Sequence, residues 1–221
     1  MSFSTEWEDC YKAKRQVNNW PFTDLISTYY QYARLEKGAP ILEMGFGTAP
    51  NATFFNTIGL NYHGIEGSES AVTYATKKYP ELKDRLALAD FTKEIPFDKK
   101  FKLIFDRGSL SHNSSKALER CAELIYDHLT DDGVFIGIDW FSSSSDLVDK
   151  GVYKSKDKRT MTQMHEGCAA NLGEVHFSDK MDLMEIFHKF KFIMITHKII
   201  NHEYPLPAHK DARWDFVIHK S

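Results

Sequence analysis

One short run combines residue types and spacing suited to ligand chemistry: Glu43-Met-Gly45-Phe-Gly47-Thr-Ala-Pro50, directly after the apolar stretch PILEM and just before NATFFNTIGL. Glycines at 45 and 47 let the backbone turn sharply and approach a ligand without a side chain in the way, and the helix that follows offers unpaired N–H groups. A dinucleotide fingerprint would carry a third glycine where Pro50 stands. A carboxylate two residues before the first glycine would repel a pyrophosphate, so Glu43 suits an amino-acid moiety better.

Further chemistry-bearing residues close the apolar runs downstream. Glu66, 21 residues beyond Gly45, ends YHGIE, where a carboxylate can accept both hydroxyls of a ribose. Asp90 ends RLALAD and is followed by Phe91, a pair able to accept from an adenine amino group and to pack on its ring. Past FKLIF stand Asp106, Arg107 and, within Ser109-Leu-Ser-His112, a histidine that titrates near neutrality and is placed to act as a base. Asp139, at the end of GVFIGID, is the second candidate base. Arg107 would bind an anionic substrate or pair with a neighbouring carboxylate.

Positioning such residues along one edge requires a parallel sheet. From residue 40 onward apolar runs alternate with helical segments, predicting strands near 40–45, 62–66, 85–90, 101–107 and 133–139 with crossover helices between them. FKFIMITHKII and ARWDFVIHKS close the chain as an antiparallel pair. Between them and the alternating part, 141–178 is polar and reads as an insert, a functional lid or a disordered stretch. SDKMDLMEIFHKF follows as a helix capped by Ser178, with Met181, Leu183, Met184, Phe187 and Phe190 on its apolar face. Residues 1–39 form a helical cap segment rich in aromatics and broken at Trp20-Pro21. Trp20 is its candidate for covering a bound cation.

The glycine turn with its acidic strand ends resembles the class I S-adenosyl-L-methionine-dependent methyltransferase family, over about residue 40 to the C-terminus. The resemblance implies a Rossmann-like, doubly wound, seven-stranded, mostly parallel α/β sheet with a C-terminal antiparallel hairpin and helices on both faces. It implies S-adenosyl-L-methionine (SAM) as cofactor, with Gly45 and Gly47 forming the turn, Glu43 near the methionine amino group, Glu66 on the ribose, Asp90 and Phe91 on adenine, and Asp106 beside the methionine part. The run Asp106-Arg107-Gly108-Ser109 departs from the Asn/Asp-Pro-Pro-Tyr of the enzymes that methylate nucleobase or glutamine amino groups. The expected reaction is O- or N-methylation of a small-molecule acceptor, for which a sugar or nucleotide-linked sugar would fit.

Composition narrows the partners. The 221 residues suit a single domain, 40–221 carrying the site and 1–39 its cap. Lys and Arg total 28 against 31 Asp and Glu, a net charge of −3 that provides no field for nucleic acid. The ten histidines form no His-x-x-x-His or His-Glu-x-x-His pair, and no metal is expected. Cys10, Cys121 and Cys168 read as free thiols. The start of the chain lacks an apolar leader and no run approaches the roughly 18 apolar residues of a membrane helix, so the expectation is a cytoplasmic protein without a membrane partner. Oligomeric state is not legible. Two other readings stay open: a nicotinamide-dependent oxidoreductase, and a non-catalytic SAM-binding module.

Overall fold

A computed structural model describes residues 5–154, 156–205 and 207–220. Two helices, α1 (Thr5–Lys12) and α2 (Thr23–Tyr32), precede the alternating region. That region runs β1 (Pro40–Met44), α3 (Ala52–Thr57), β2 (Asn61–Glu66), α4 (Glu69–Lys78), β3 (Leu86–Leu88), β4 (Phe101–Arg107), α5 (Ser115–His128) and β5 (Leu129–Phe141). Three short strands follow, β6 (Val152–Lys154), β7 (Asp157–Thr162) and β8 (Val175–His176), then α6 (Lys180–Ile186), β9 (Phe190–His202) and β10 (His209–Lys220).

The main sheet has the order β3-β2-β1-β4-β5-β10-β9. The strands from β3 through β5 are parallel, whereas β10 runs antiparallel to both β5 and β9. Strand order reverses between β1 and β4, and a ligand crevice opens beyond the carboxyl ends of the strands at such a point. Both faces are covered, as the near-continuous apolar strands require. One core layer sets Leu118, Cys121 and Ile125 of α5 and Leu183 and Ile186 of α6 against Leu42, Ile104, Phe135 and Phe216. The other sets Leu25 and Tyr29 of α2, Phe55 of α3 and Ala75 of α4 against Ile41, Tyr62, Leu103 and Ile136.

The insert differs from its expected loop character. Its strands β6, β7 and β8 make a small antiparallel sheet over a cluster formed by Phe141, Met161, Met164, Ala169, Val175 and Phe177. The fully buried His176 ring docks it: Nε2 lies 2.7 Å from Asp182 Oδ2 of α6, and Nδ1 lies 3.3 Å from the hydroxyls of Ser115 and Thr160. Asp157 accepts from the Ser115 N–H at 2.9 Å at the start of α5. A few apolar residues and a satisfied polar network hold the segment, which hydropathy does not register.

The helix after the insert is also corrected in detail. Asp179, not Ser178, caps α6, accepting from the Asp182 N–H at 2.9 Å. Leu183, Phe187 and Phe190 are buried as expected, but Met181 and Met184 face solvent, and Ile186 takes the inward position.

Candidate active site

The carboxyl edge of the sheet opens into a cavity of about 310 Å³, at the lower end of the range for small-molecule sites. Its floor is the turn between β1 and α3. The Gly45 and Phe46 N–H groups donate to the Ile65 carbonyl at 2.8 and 3.3 Å, tying the turn to β2. Both glycines adopt left-handed backbone, with φ of 70° at Gly45 and 56° at Gly47. A Cβ at Gly45 would collide with the Ser109 side chain, and one at Gly47 would lie 2.6 Å from the Tyr11 hydroxyl.

Glu43 and Glu66 are buried against this turn, and both line the cavity. Glu43 accepts from Asn51 Nδ2 at 2.8 Å and from the Tyr62 hydroxyl. Burial pushes its carboxyl up to about 8, against those two hydrogen bonds, and the nearby Asp106 and Glu66 carboxyls add to the rise. Glu66 accepts from the Gly47 N–H at 2.8 Å with one oxygen and from Gly67 and Ser68 N–H at 2.8 and 3.0 Å with the other. Burial raises its pKa while these three backbone bonds oppose the rise. Asp90 and Phe91 complete this half of the cavity. Asp90 Oδ1 accepts from the Thr92 N–H and hydroxyl at 3.1 and 2.6 Å, and Oδ2 pairs with Lys93 at 2.9 Å.

Asp106, close to Glu43, is fully buried and does not itself line the cavity. One oxygen accepts from the N–H groups of Ser109 and Leu110 at 3.0 and 2.9 Å and from the Ser109 hydroxyl, and the other accepts from Trp140 Nε1 at 2.7 Å. Its lone pairs shape the turn after β4, whose Ser109 hydroxyl oxygen also lies 2.6 Å from the Met44 carbonyl.

Trp20 is likewise corrected. It is 79% exposed and lies outside the cavity, because it stands in the linker before α2 rather than on a helix face. The aromatics that do cover the site are Trp7 and Tyr11, one turn apart on α1. Glu8 anchors that helix. It accepts from the hydroxyls of Ser68 and Ser70 at 2.5 and 2.6 Å and from the Ser70 N–H at 3.2 Å, at the start of α4. Thr48 exchanges hydrogen bonds with the Asn18 backbone at 2.8 and 3.2 Å, and Asn51 accepts from the Phe22 N–H at 3.1 Å, fastening the linker to the glycine turn.

The three proposed catalytic residues, His112, Asp139 and Arg107, all line this cavity. The His112 ring sits edge-on between Trp7, with centroids 4.9 Å apart, and Phe141, at 5.4 Å. Its Nδ1 is buried without a partner. Burial lowers its pKa to about 4, partly offset by a hydrogen bond to the Glu174 backbone, so the ring is neutral near pH 7. Asp139 is brought to the cavity, but not as a free base. Its carboxylate is held by Arg107 at 2.6 Å and by Lys198, and Lys198 also pairs with Asp215 at 2.7 Å. Asp139 carries a left-handed φ of 59°, and its N–H donates to Asp215 at 2.9 Å. Arg107 also pairs with Asp24 at 3.5 Å and lies 3.6 Å above the Phe22 ring. The cavity is closed by residues the sequence did not point to: Phe141, Arg213, and Cys168 and Leu172 of the insert.

The donor set fits a ligand with a cationic amine, vicinal hydroxyls and an aromatic base: buried carboxyls beside the turn, a left-handed glycine turn with no room for a Cβ, and Phe91 at the third strand end. Residues 41–133 match the family model described as a methyltransferase domain. No curated protein matches the sequence. Among solved structures, a SAM-dependent methyltransferase from Clostridium acetobutylicum superposes with a TM-score of 0.66 at 15% identity, covering 96% of each chain. One from Methanosarcina mazei gives 0.69 at 13%, covering 90% of this chain and 98% of its own. A glycopeptide N-methyltransferase solved with sinefungin gives 0.61 at 13%, covering 93% and 89%. Residues 41–133 thus resemble a methyltransferase domain, and the chain shares the fold of the SAM-dependent methyltransferases on which it superposes.

Proposed function

We propose that the chain methylates a small-molecule acceptor, with Glu43, Gly45, Gly47, Glu66, Asp90 and Phe91 holding the cofactor and His112 serving as base. The observation that carries the reading is that one cavity is lined both by the carboxyl groups around the glycine turn and by His112, Trp7 and Phe141. SAM supplies a methyl group on a sulfonium, open to in-line displacement. The chain has then to align donor and acceptor and to exclude water. Trp7 and Tyr11 above and the insert at the side serve that exclusion. The neutral His112 ring offers an unpartnered nitrogen to an acceptor proton.

The test pairs binding with transfer. Calorimetry should show SAM and its demethylated product binding to the protein, with Glu66→Gln weakening SAM roughly tenfold or more, as loss of a charged hydrogen-bonding partner requires. Labelled SAM offered with sugars, amines and other metabolites should pass label to a small molecule. His112→Ala should cut that transfer by roughly 10²-fold or more while SAM affinity holds. Label appearing only on nucleic acid or protein would overturn the acceptor class. SAM failing to bind would overturn the cofactor assignment.

A further inference from the structure

Arg213 has no role in the reading above, yet its side chain faces the cavity and is 12% exposed. It stands on β10 directly opposite Phe141 of β5, so the two side chains share a face of the sheet. The guanidinium lies 4.1 Å above the Phe141 ring, whose other neighbours include His112. Its charge also reaches His112, adding to the lowered basicity of that ring. The insert supplies the rest of this corner through Cys168 and Leu172.

The hydrogen bonding of this guanidinium is uneven. Nη1 pairs with Asp211 at 2.6 Å and donates to the Ala212 carbonyl at 3.3 Å. Nη2, on the fork's other arm, meets the Cys168 sulfur at 3.1 Å. Sulfur is among the weakest acceptors in proteins, whereas guanidinium donors are among the strongest and match a carboxylate in shape. A mostly buried arginine that spends an arm on a thiol has donor capacity for an oxyanion entering from the cavity. Arg107, the other cation lining the cavity among the described residues, spends Nη2 on Asp24 and Asp139, and its partnerless Nε is buried. Because Asp211 half-neutralises Arg213, the corner suits a single negative charge better than a double one.

We propose that the acceptor carries a carboxylate, which Arg213 binds above Phe141 so that the acceptor's nucleophilic atom faces His112. This deepens the methyltransferase reading and rests on it. Binding at the Arg213 corner would fix the acceptor's orientation relative to the donor side of the cavity, which is how remote binding energy serves a displacement.

The experiment uses the full chain saturated with the demethylated cofactor product and follows small probes by ligand-observed NMR. Three pairs are titrated: acetate with acetamide, benzoate with benzamide, and phenylacetate with phenylacetamide. At least one carboxylate should bind tenfold or more tighter than its amide. Arg213→Gln should abolish that preference, and Arg213→Lys should keep part of it, with an unchanged SAM affinity showing that both variants are folded. Absence of any carboxylate preference, a preference that survives Arg213→Gln, or inorganic phosphate binding tighter than every carboxylate would each overturn the proposal. Failure of SAM to bind the wild-type protein would instead strike the methyltransferase reading itself.

Discussion

Glu43 keeps a proton near neutral pH because burial raises its carboxyl to about 8 despite the donors Asn51 and Tyr62. The unfolded chain would release that proton near the ordinary carboxylate value of 4.5. Across the window from 4.5 to about 8 the native state therefore holds a proton that the unfolded state does not, and stability falls as pH rises through it. A cofactor ammonium beside Glu43 would reverse the balance by favouring the carboxylate. Binding SAM at pH 7 should then release about one proton, since roughly nine-tenths of Glu43 is protonated beforehand, and the release should fade above pH 8. Titration in buffers of different ionisation enthalpy reads this directly, and Glu43→Gln should remove it. Release that is unchanged in the variant would mean that the amine lies elsewhere. Asp106 marks the limit of reading such carboxylates from strand ends alone. Its position in the sequence is equivalent to theirs, but its lone pairs are filled by Ser109, Leu110 and Trp140.

The cover over the site is anchored through Glu8 of α1 at the start of α4. Burial would raise the Glu8 carboxyl, but hydrogen bonds from Ser68, Ser70 and Lys12 outweigh it and hold it near 2. With a native pKa below the unfolded one, the contact contributes fully above about 4.5 and is lost as pH falls toward 2. Glu8→Gln should loosen α1 at neutral pH. Cys10, on the same helix and 3% exposed, reports this: its alkylation rate should rise roughly tenfold, while exposed Cys168 reacts as before. An unchanged Cys10 rate would place the anchor elsewhere. The strands and the glycine turn were legible because apolar runs and turn residues are local signals. The cover was legible only as an aromatic cluster. The i, i+4 spacing of Trp7 and Tyr11 on one helix was the available cue, and Trp20, isolated before a proline, lacked it. The insert was not legible as a folded unit, since what docks it is buried His176 against Asp182, Ser115 and Thr160, partners distant in sequence.

At the scale of the whole molecule, the sheet separates two core layers, and the site occupies the edge where both end. Phe216 is fully buried in the layer beneath α6, with ring centroids 5.9, 5.2 and 5.2 Å from those of Phe135, Trp140 and Phe187. Phe216→Ala leaves a cavity there and should cost about 3–5 kcal/mol, a fall in Tm of roughly 6–20 °C for a chain of this size. Cofactor at a hundredfold excess over its Kd adds about 2.7 kcal/mol to whatever native state binds it, or roughly 5–11 °C. The glycine turn, which follows Glu43 of β1, is tied to β2 and to Glu66 at its end rather than to β10, which carries Phe216, so the two effects should add. Thermal melts of wild type and Phe216→Ala with and without SAM test this: equal SAM-induced shifts mean that the site is shaped by the strand edge and its turns. A lost shift in the variant would mean that Trp140, which touches Phe216 and donates to Asp106, transmits core packing to the turn after β4, and that site and core form one coupled unit.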